Sequence, residues 1–324
     1  MSTGSSKFRV RFNPFRKTNQ LLAIISHQDC LAHDPGIHHP ETPARLDAIN
    51  NQIIMSGLDF VIRNYDAPLA TIEQLSRAHD REYVERIFNL APTEGSVEID
   101  GDTVMSVGSL HASQRAAGAG ILGVDLIISG EANPVFCAVR PPGHHAEHDK
   151  AMGFCLFDNI AVAAMHALET HGIERIAIVD FDVHHGNGTE DIFQNDKRVL
   201  FCSSFQHPFY PFTGHDSDTK NLVDVPLPAG TDGSQFRQAI EQHWLPALEK
   251  FKPQMIFISA GFDAHLLDDM SNLKLVEADY AWITEKLVAI AASHSDGRIL
   301  SMLEGGYEPG ALARSVVAHL RALI

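Results

Sequence analysis

Asp180, Asp182 and His184 stand two residues apart in the stretch Arg175–Thr189, RIAIVDFDVHHGNGT. A strand repeats every two residues, so all three side chains can leave one face at its carboxyl end. His185 then points the other way, and Gly186 and Gly188 turn the chain. Two carboxylates and an imidazole on one face are costly unless a cation or a substrate sits among them. Asp263, in Gly-Phe-Asp-Ala-His at 261–265, adds a third candidate donor from another strand end. Asp182, His184 and Asp263 form a mixed oxygen and nitrogen set that leaves a position open for water, as a catalytic zinc site requires. Zn²⁺ in such a site brings its water to a pKa of about 7 and polarises a carbonyl oxygen. The same donors accept Fe²⁺ or Mn²⁺. Asp180 is better placed as the carboxylate partner of a histidine.

His144 and His145 follow two prolines and a glycine, a rigid presentation. Beside a metal cluster, adjacent imidazoles suit a general base and acid, worth roughly 10²–10⁴ in rate; standing alone they would read as packing histidines. Tyr307 follows two glycines, and its hydroxyl could donate to a developing oxyanion, a contact worth about 10²–10³.

These residues need a scaffold that brings four loops together. Apolar runs at Leu21–Ile25, 134–139, 176–179, 199–203, 255–259 and 299–303 read as strands. Helices are expected at 44–55 (Thr42 as cap, Pro43 at the first helical position), 71–90 in one or two pieces, 108–129, 158–171, 234–251, 276–294 and 309–323, with a short turn at 191–193. An edge strand is expected near 60–62, and loops at 92–102 and 206–218. Strands that alternate with helices and carry near-continuous apolar runs predict a mainly parallel sheet covered on both faces, a three-layer α/β domain over 20–324. Residues 1–19 lack periodicity and read as a loose arm. Four strands end in polar, glycine-containing clusters at 142–145, 180–185, 261–265 and 304–307. In a parallel sheet those ends share one edge, where ligands bind.

The net charge of −16 argues against a nucleic-acid binder, which would show a basic face. The four cysteines show no CxxC spacing and read as buried free thiols of a reducing compartment. No apolar run reaches the length of a membrane span and the first twenty residues lack an apolar leader core, so a cytoplasmic protein is expected.

Taken together, Pro-Gly-His-His-Ala, Asp-Phe-Asp-Val-His-His-Gly-Asn-Gly-Thr, Gly-Phe-Asp-Ala-His and Glu-Gly-Gly-Tyr resemble the zinc-dependent histone deacetylase and acetylpolyamine amidohydrolase family, in its class II-like, bacterial-type form. His39-Pro40-Glu41 with Arg45, and Ala78-His79-Asp80 to Tyr83, extend the resemblance over nearly the whole chain. It implies the arginase–deacetylase fold with an eight-stranded sheet, and Zn²⁺ held by Asp182, His184 and Asp263. It implies His145 as general base and acid, His144 as its electrostatic partner bonded to Asp180, and Tyr307 as the group that polarises the acyl carbonyl. Gly153, Phe154 and Tyr210 match channel walls, and Asp102 the rim carboxylate that holds the substrate backbone. Asp180, Asp182, His184 and Ser203 match a structural K⁺ site, and Phe193 and Val199 part of an outer one.

Three positions depart from the family pattern. Asn187 stands where Asp is frequent, which makes His145 a weaker base. Pro211-Phe212 replaces a usual Pro-Gly. Asp269 replaces a frequent Pro, and Met270 follows where polyamine-selective relatives can carry an acidic residue. Met270 favours acyl-lysine in a protein or peptide over an acylated polyamine, with Asp268 and Asp269 nearby as a counterweight. An arginase-like ureohydrolase would need more carboxylates, and a non-catalytic acyl-lysine binding module would be expected to lose a ligand or Tyr307. The oligomeric state is not encoded in these motifs.

Overall fold

The computed structural model describes residues 21–215 and 219–324. The arm expected at 1–19 and the last residues of the loop expected at 206–218 lie outside the described residues. In chain order the strands are β1 (Leu22–Ser26), β2 (Ile62–Asp66), β3 (Ser96–Glu98), β4 (Val104–Ser106), β5 (Val135–Cys137), β6 (Ile176–Asp180), β7 (Val199–Gln206), β8 (Leu222–Leu227), β9 (Met255–Ala260) and β10 (Ile299–Leu303). The helices are α1 (Ala44–Met55), α2 (Ile72–Leu75), α3 (Arg81–Leu90), α4 (Ser109–Ser129), α5 (Asn159–His171), α6 (Asn187–Phe193), α7 (Gly233–Phe251), α8 (Glu277–His294) and α9 (Pro309–Leu323).

Eight strands form one sheet in the order β2-β1-β5-β10-β9-β6-β7-β8, and every neighbouring pair is parallel. β5, β6, β9 and β10 are buried at every position, as expected of strands covered on both faces. α4 and α5 pack on one another, as do α1, α9 and α8, and α4 lies on β1, β5 and β10. α4 is rich in Ala and Gly because it approaches its neighbours closely. A Cβ at Gly120 would stand 2.7 Å from that of Ala163 on α5.

Several elements differ from the sequence expectation. Pro43 occupies the cap position of α1, and no side chain caps it. A 3-10 turn at Leu58–Val61 precedes β2, so that edge strand begins two residues later than expected. The stretch at 92–102 contains β3, which pairs antiparallel with β4; both are three residues long, too short to show a period. β8 was not expected. It carries Asp224 and Pro226, and proline is tolerated there because β8 is an edge strand. α6 begins at Asn187, before the turn expected at 191–193.

The four polar clusters follow β5, β10, β9 and β6, which are adjacent at the centre of the sheet. All four loops therefore emerge on one edge.

Candidate active site

β6 ends at Asp180, so Asp182 and His184 stand on the loop beyond it. A chain of backbone donors holds that loop in shape. Asp180 Oδ1 accepts from the Asp182 N–H at 3.0 Å. Asp263 Oδ1 accepts from the Val183 N–H at 2.9 Å, and Asp182 Oδ2 from the Gly305 N–H at 2.8 Å. The carboxylates of Asp182 and Asp263 are thus each braced from a strand end other than their own. Gly305 is required there, because a Cβ would collide with the carboxylates of Asp263 and Asp182. His184 Nδ1 lies 3.0 Å from Asp182 Oδ1 and 3.3 Å from Asp263 Oδ2. All three side chains are buried, and their ligand atoms converge as a set able to hold a metal ion. Asp263 Oδ2 has no hydrogen-bond partner. Burial, and then the charge of Asp182, push the Asp263 carboxyl up to about 6. A buried oxygen without a donor beside a second carboxylate is what a cation would relieve.

His144 and His145 lie against this cluster with ring centroids 4.0 Å apart, but their surroundings differ. His144 Nδ1 donates to Asp180 Oδ2 at 2.8 Å. Burial disfavours its charge, yet Asp180 and Asp182 outweigh that and hold its pKa well above the ordinary value. His145 Nδ1 meets Asn187 Oδ1 at 2.8 Å. Burial, then the charges of His144 and His184, hold it well below the ordinary value. One imidazole is kept charged and its neighbour kept neutral, the division expected of a pair in which only one moves protons.

Tyr307 follows β10, in a turn where Gly306 adopts a left-handed φ of 116°. Asp268 Oδ2 accepts from the Tyr307 N–H at 2.6 Å and the Glu308 N–H at 3.1 Å. The Arg45 guanidinium lies 4.9 Å from the Tyr307 ring centre and donates to the Gly306 carbonyl at 2.6 Å. Burial raises the phenol pKa well above its ordinary value, so the hydroxyl stays a donor.

His145, His184 and Tyr307 line a channel of about 230 Å³ with Asp102, Gly153, Phe154, Phe209, Tyr210 and Met270. Phe154 stands edge-on to Tyr307 at 6.0 Å and Tyr210 edge-on to His145 at 5.2 Å. Gly153 and Phe154 take left-handed φ values of 58° and 69°. For Phe154 this costs on the order of 1–3 kcal/mol. The conformation is held by Asp102 Oδ1 on the Gly153 N–H and by Thr103 Oγ1 on the Phe154 N–H, both at 3.1 Å. A Cβ at Gly153 would press into the His145 ring. Phe212 takes a left-handed φ of 66°, the conformation a glycine adopts freely.

The histone deacetylase domain pattern matches residues 39–323. The chain belongs to the histone deacetylase family. It is 37% identical over 351 residues to the chloroplastic histone deacetylase 14 of Arabidopsis thaliana, covering 99% of this chain and 83% of that one. It is 38% identical over 312 residues to a probable deacetylase of Archaeoglobus fulgidus, covering 94% of this chain and 86% of the relative. The crystal structure of the HDA15 HD domain superposes with a TM-score of 0.88 at 32% identity, covering 94% of this chain and 88% of that one. The parallel eight-stranded sheet is thus the α/β fold of the deacetylases, and the protein is a hydrolytic deacetylase acting on acetylated amines.

In this deacetylase Ser203 lies opposite Asp180 in the β6–β7 register. Its hydroxyl is 3.0 Å from His185 Nδ1, while His185 Nε2 is 2.6 Å from Glu190. The outer cation site was expected at Phe193 and Val199. The carbonyls of Phe193, Asp196 and Val199 all accept from Asn221 Nδ2, at 2.8, 3.3 and 3.2 Å. Three main-chain carbonyls thus converge on one side-chain amide.

Several residues of the site had no assigned role in the sequence. Glu304 Oε2 accepts the Gly143 and His144 N–H groups at 2.7 and 3.2 Å, and burial pushes its carboxyl up to about 8. Glu41, Arg45 and Arg140 form a buried network, with Arg45 Nη1 and Arg140 Nε on Glu41 Oε1 at 2.9 and 2.5 Å. Phe209 stacks on His184 at 5.4 Å. Glu304, Glu41 and Arg45 stand within the family-like motifs; Phe209 carried no signal beyond its neighbours, and Asp268 counted only as an acidic neighbour of Met270.

Proposed function

We propose that this deacetylase depends on Zn²⁺ and removes acetyl, or a related acyl group, from the side-chain amine of lysine in a protein or peptide. The observation that carries the reading is that Asp182, His184 and Asp263 converge as a ligand set whose His184 lines one narrow aromatic channel together with His145 and Tyr307. The donor set and the unpartnered Asp263 Oδ2 fit Zn²⁺ and would also take Fe²⁺. When bound, the ion supplies Lewis acidity that acidifies a water and polarises the acyl carbonyl.

The chain's own residues do the rest. Phe154 and Tyr210 hold an aliphatic stem, with Asp102 at the rim for the substrate backbone. His145 Nε2 takes the proton of the attacking water and returns it to the leaving amine. His144, charged through Asp180, stabilises negative charge that develops beside it. The Tyr307 hydroxyl donates to the carbonyl oxygen as charge builds on it. Asp180, Asp182, His184 and Ser203 would hold a structural K⁺. With Nε2 donating to Glu190, His185 Nδ1 accepts a hydrogen bond from the Ser203 hydroxyl, which leaves the oxygen lone pairs free for a cation.

Acyl-lysine is favoured over acylpolyamine because Met270 lines the channel while the carboxylate of Asp268 is taken up by three backbone N–H groups. A polyamine would lack an acidic partner at that position. The four cysteines are buried and unpaired, which supports a reducing compartment such as the cytoplasm; no described helix is long and apolar enough to cross a membrane. The test compares kcat/KM for an acetyl-lysine peptide with that for acetylputrescine and acetylspermidine on zinc-loaded protein. The peptide should be the better substrate, and a preference for either polyamine would overturn the choice.

A further inference from the structure

We propose that Glu147 is a positioning residue that dictates, through Asn187, which nitrogen of His145 carries the proton. The inference rests on His145 being the base of the deacetylation and goes beyond it by naming what makes Nε2 the basic nitrogen.

Asn187 bridges two side chains. Its Oδ1 is 2.8 Å from His145 Nδ1, and its Nδ2 is 2.8 Å from Glu147 Oε1. The two ends of an amide interchange by a half-turn, so its orientation is set by what its partners can donate or accept. A carboxylate only accepts, so the NH₂ end must face Glu147. That leaves the oxygen facing His145. An amide oxygen also only accepts, so His145 Nδ1 must carry the proton and Nε2 must hold the lone pair. The His145 carbonyl, 3.5 Å from Nδ2, and Met152 Sδ, at 3.3 Å, are acceptors too and favour the same orientation. With the amide reversed, an N–H would face Nδ1, the proton would move to Nε2, and the base would be lost without any atom leaving its place.

Glu147 is itself fixed. Its N–H donates to the Lys150 carbonyl at 2.9 Å, and its carbonyl accepts from His79 Nδ1 at 2.9 Å. His79 Nε2 in turn accepts from the Asp158 N–H at 2.9 Å. The histidine of the early Ala-His-Asp motif thus anchors the segment from which Glu147 reaches Asn187.

Charge reversal tests this. Glu147→Lys offers only donors, so the amide should turn round. In Asn187→Asp/Glu147→Lys both carboxylate oxygens accept, one from His145 Nδ1–H and one from the lysine, so function should return. On zinc-loaded protein Glu147→Lys should lower kcat about 10²-fold with KM nearly unchanged, and the double variant should recover most of that loss. Glu147→Gln, which can accept or donate and so no longer forces the amide, should fall between the parent and Glu147→Lys. Long-range ¹⁵N NMR of the His145 ring should report Nδ1–H in the parent and in the double variant, and Nε2–H in Glu147→Lys. A full kcat in Glu147→Lys, no recovery in the double variant, or Nδ1–H in all three proteins would overturn the proposal. The tautomer readout needs no substrate. Absent turnover with the tautomer switch intact overturns the functional reading alone; an unchanged tautomer with turnover intact overturns the positioning role alone.

Discussion

Two Asp/His clusters in this molecule offer similar ligand atoms and opposite chemistry. Asp182, His184 and Asp263 meet at the strand ends, and Asp125, His166 and His171 meet on α4 and α5; each set brings one ligand atom per residue within 4.8 Å of the others. In the helical cluster, Asp125 Oδ1 accepts from His166 Nε2 at 2.8 Å and from His171 Nε2 at 2.7 Å. Arg77 donates to His166 Nδ1 at 2.8 Å. Nδ1 must therefore be the acceptor and Nε2 must hold the proton, so the nitrogen facing Asp125 has no lone pair for a metal. In the strand-end cluster no arginine lies on the histidine among the described residues, one carboxylate oxygen has no hydrogen-bond partner, and backbone N–H groups from neighbouring strand ends fix each carboxylate. Residue type and proximity are common to both. The proton each histidine is forced to hold, and the burial of the carboxylates, divide them.

The largest expected effect comes from exchanging one carboxylate in each cluster. Asp263→Asn should abolish zinc retention and reduce turnover to the level of metal-stripped protein; Asp125→Asn should leave both unchanged. Metal content by mass spectrometry and acetate release check this, and equal losses in the two variants would break the distinction. Next, Tyr307→Phe should lower kcat by about 10²–10³ while zinc content stays at the parental level.

A third, smaller effect concerns pH. As the proposed base, His145 would act when neutral, and its pKa is held below the ordinary value by burial and then by His144 and His184. Activity should therefore persist as pH falls below the ordinary histidine range and be lost only when His145 protonates. Asn187→Asp places a negative charge on Nδ1, favours the imidazolium and should move the acid limb of kcat/KM to higher pH. A limb that stays put or moves down would contradict the assignment. The smallest effect sharpens the comparison from the other side. Arg77→Ala frees His166 Nδ1 to carry the proton, so the helical cluster should gain weak Co²⁺ binding, visible by calorimetry on protein whose strand-end site is filled with zinc. Parental behaviour would mean that Arg77 is not what excludes metal.

The catalytic edge was legible in the sequence because the central strands are short, apolar and uninterrupted, so each polar cluster had to stand at a strand end. β9 and β10 followed from the apolar runs 255–259 and 299–303 for that reason. The edges were less legible. β8 breaks its apolar pattern with Asp224 and Pro226, and β2 is largely exposed. Asp182 and His184 were expected on one strand face, yet β6 ends at Asp180 and their alternation is kept by backbone hydrogen bonds from other loops. Asn221 was unreadable because its amide meets carbonyls of Phe193, Asp196 and Val199, each of which is anonymous in sequence. The Glu147–Asn187 contact likewise joins a loop to the start of α6, 40 residues apart.

The most direct measurement is acetate release from an acetyl-lysine peptide by chelator-stripped protein titrated with Zn²⁺. The account expects no release before zinc, full release at one equivalent, and none at any zinc level in Asp263→Asn. Release by the stripped protein, or by zinc-titrated Asp263→Asn, would contradict it.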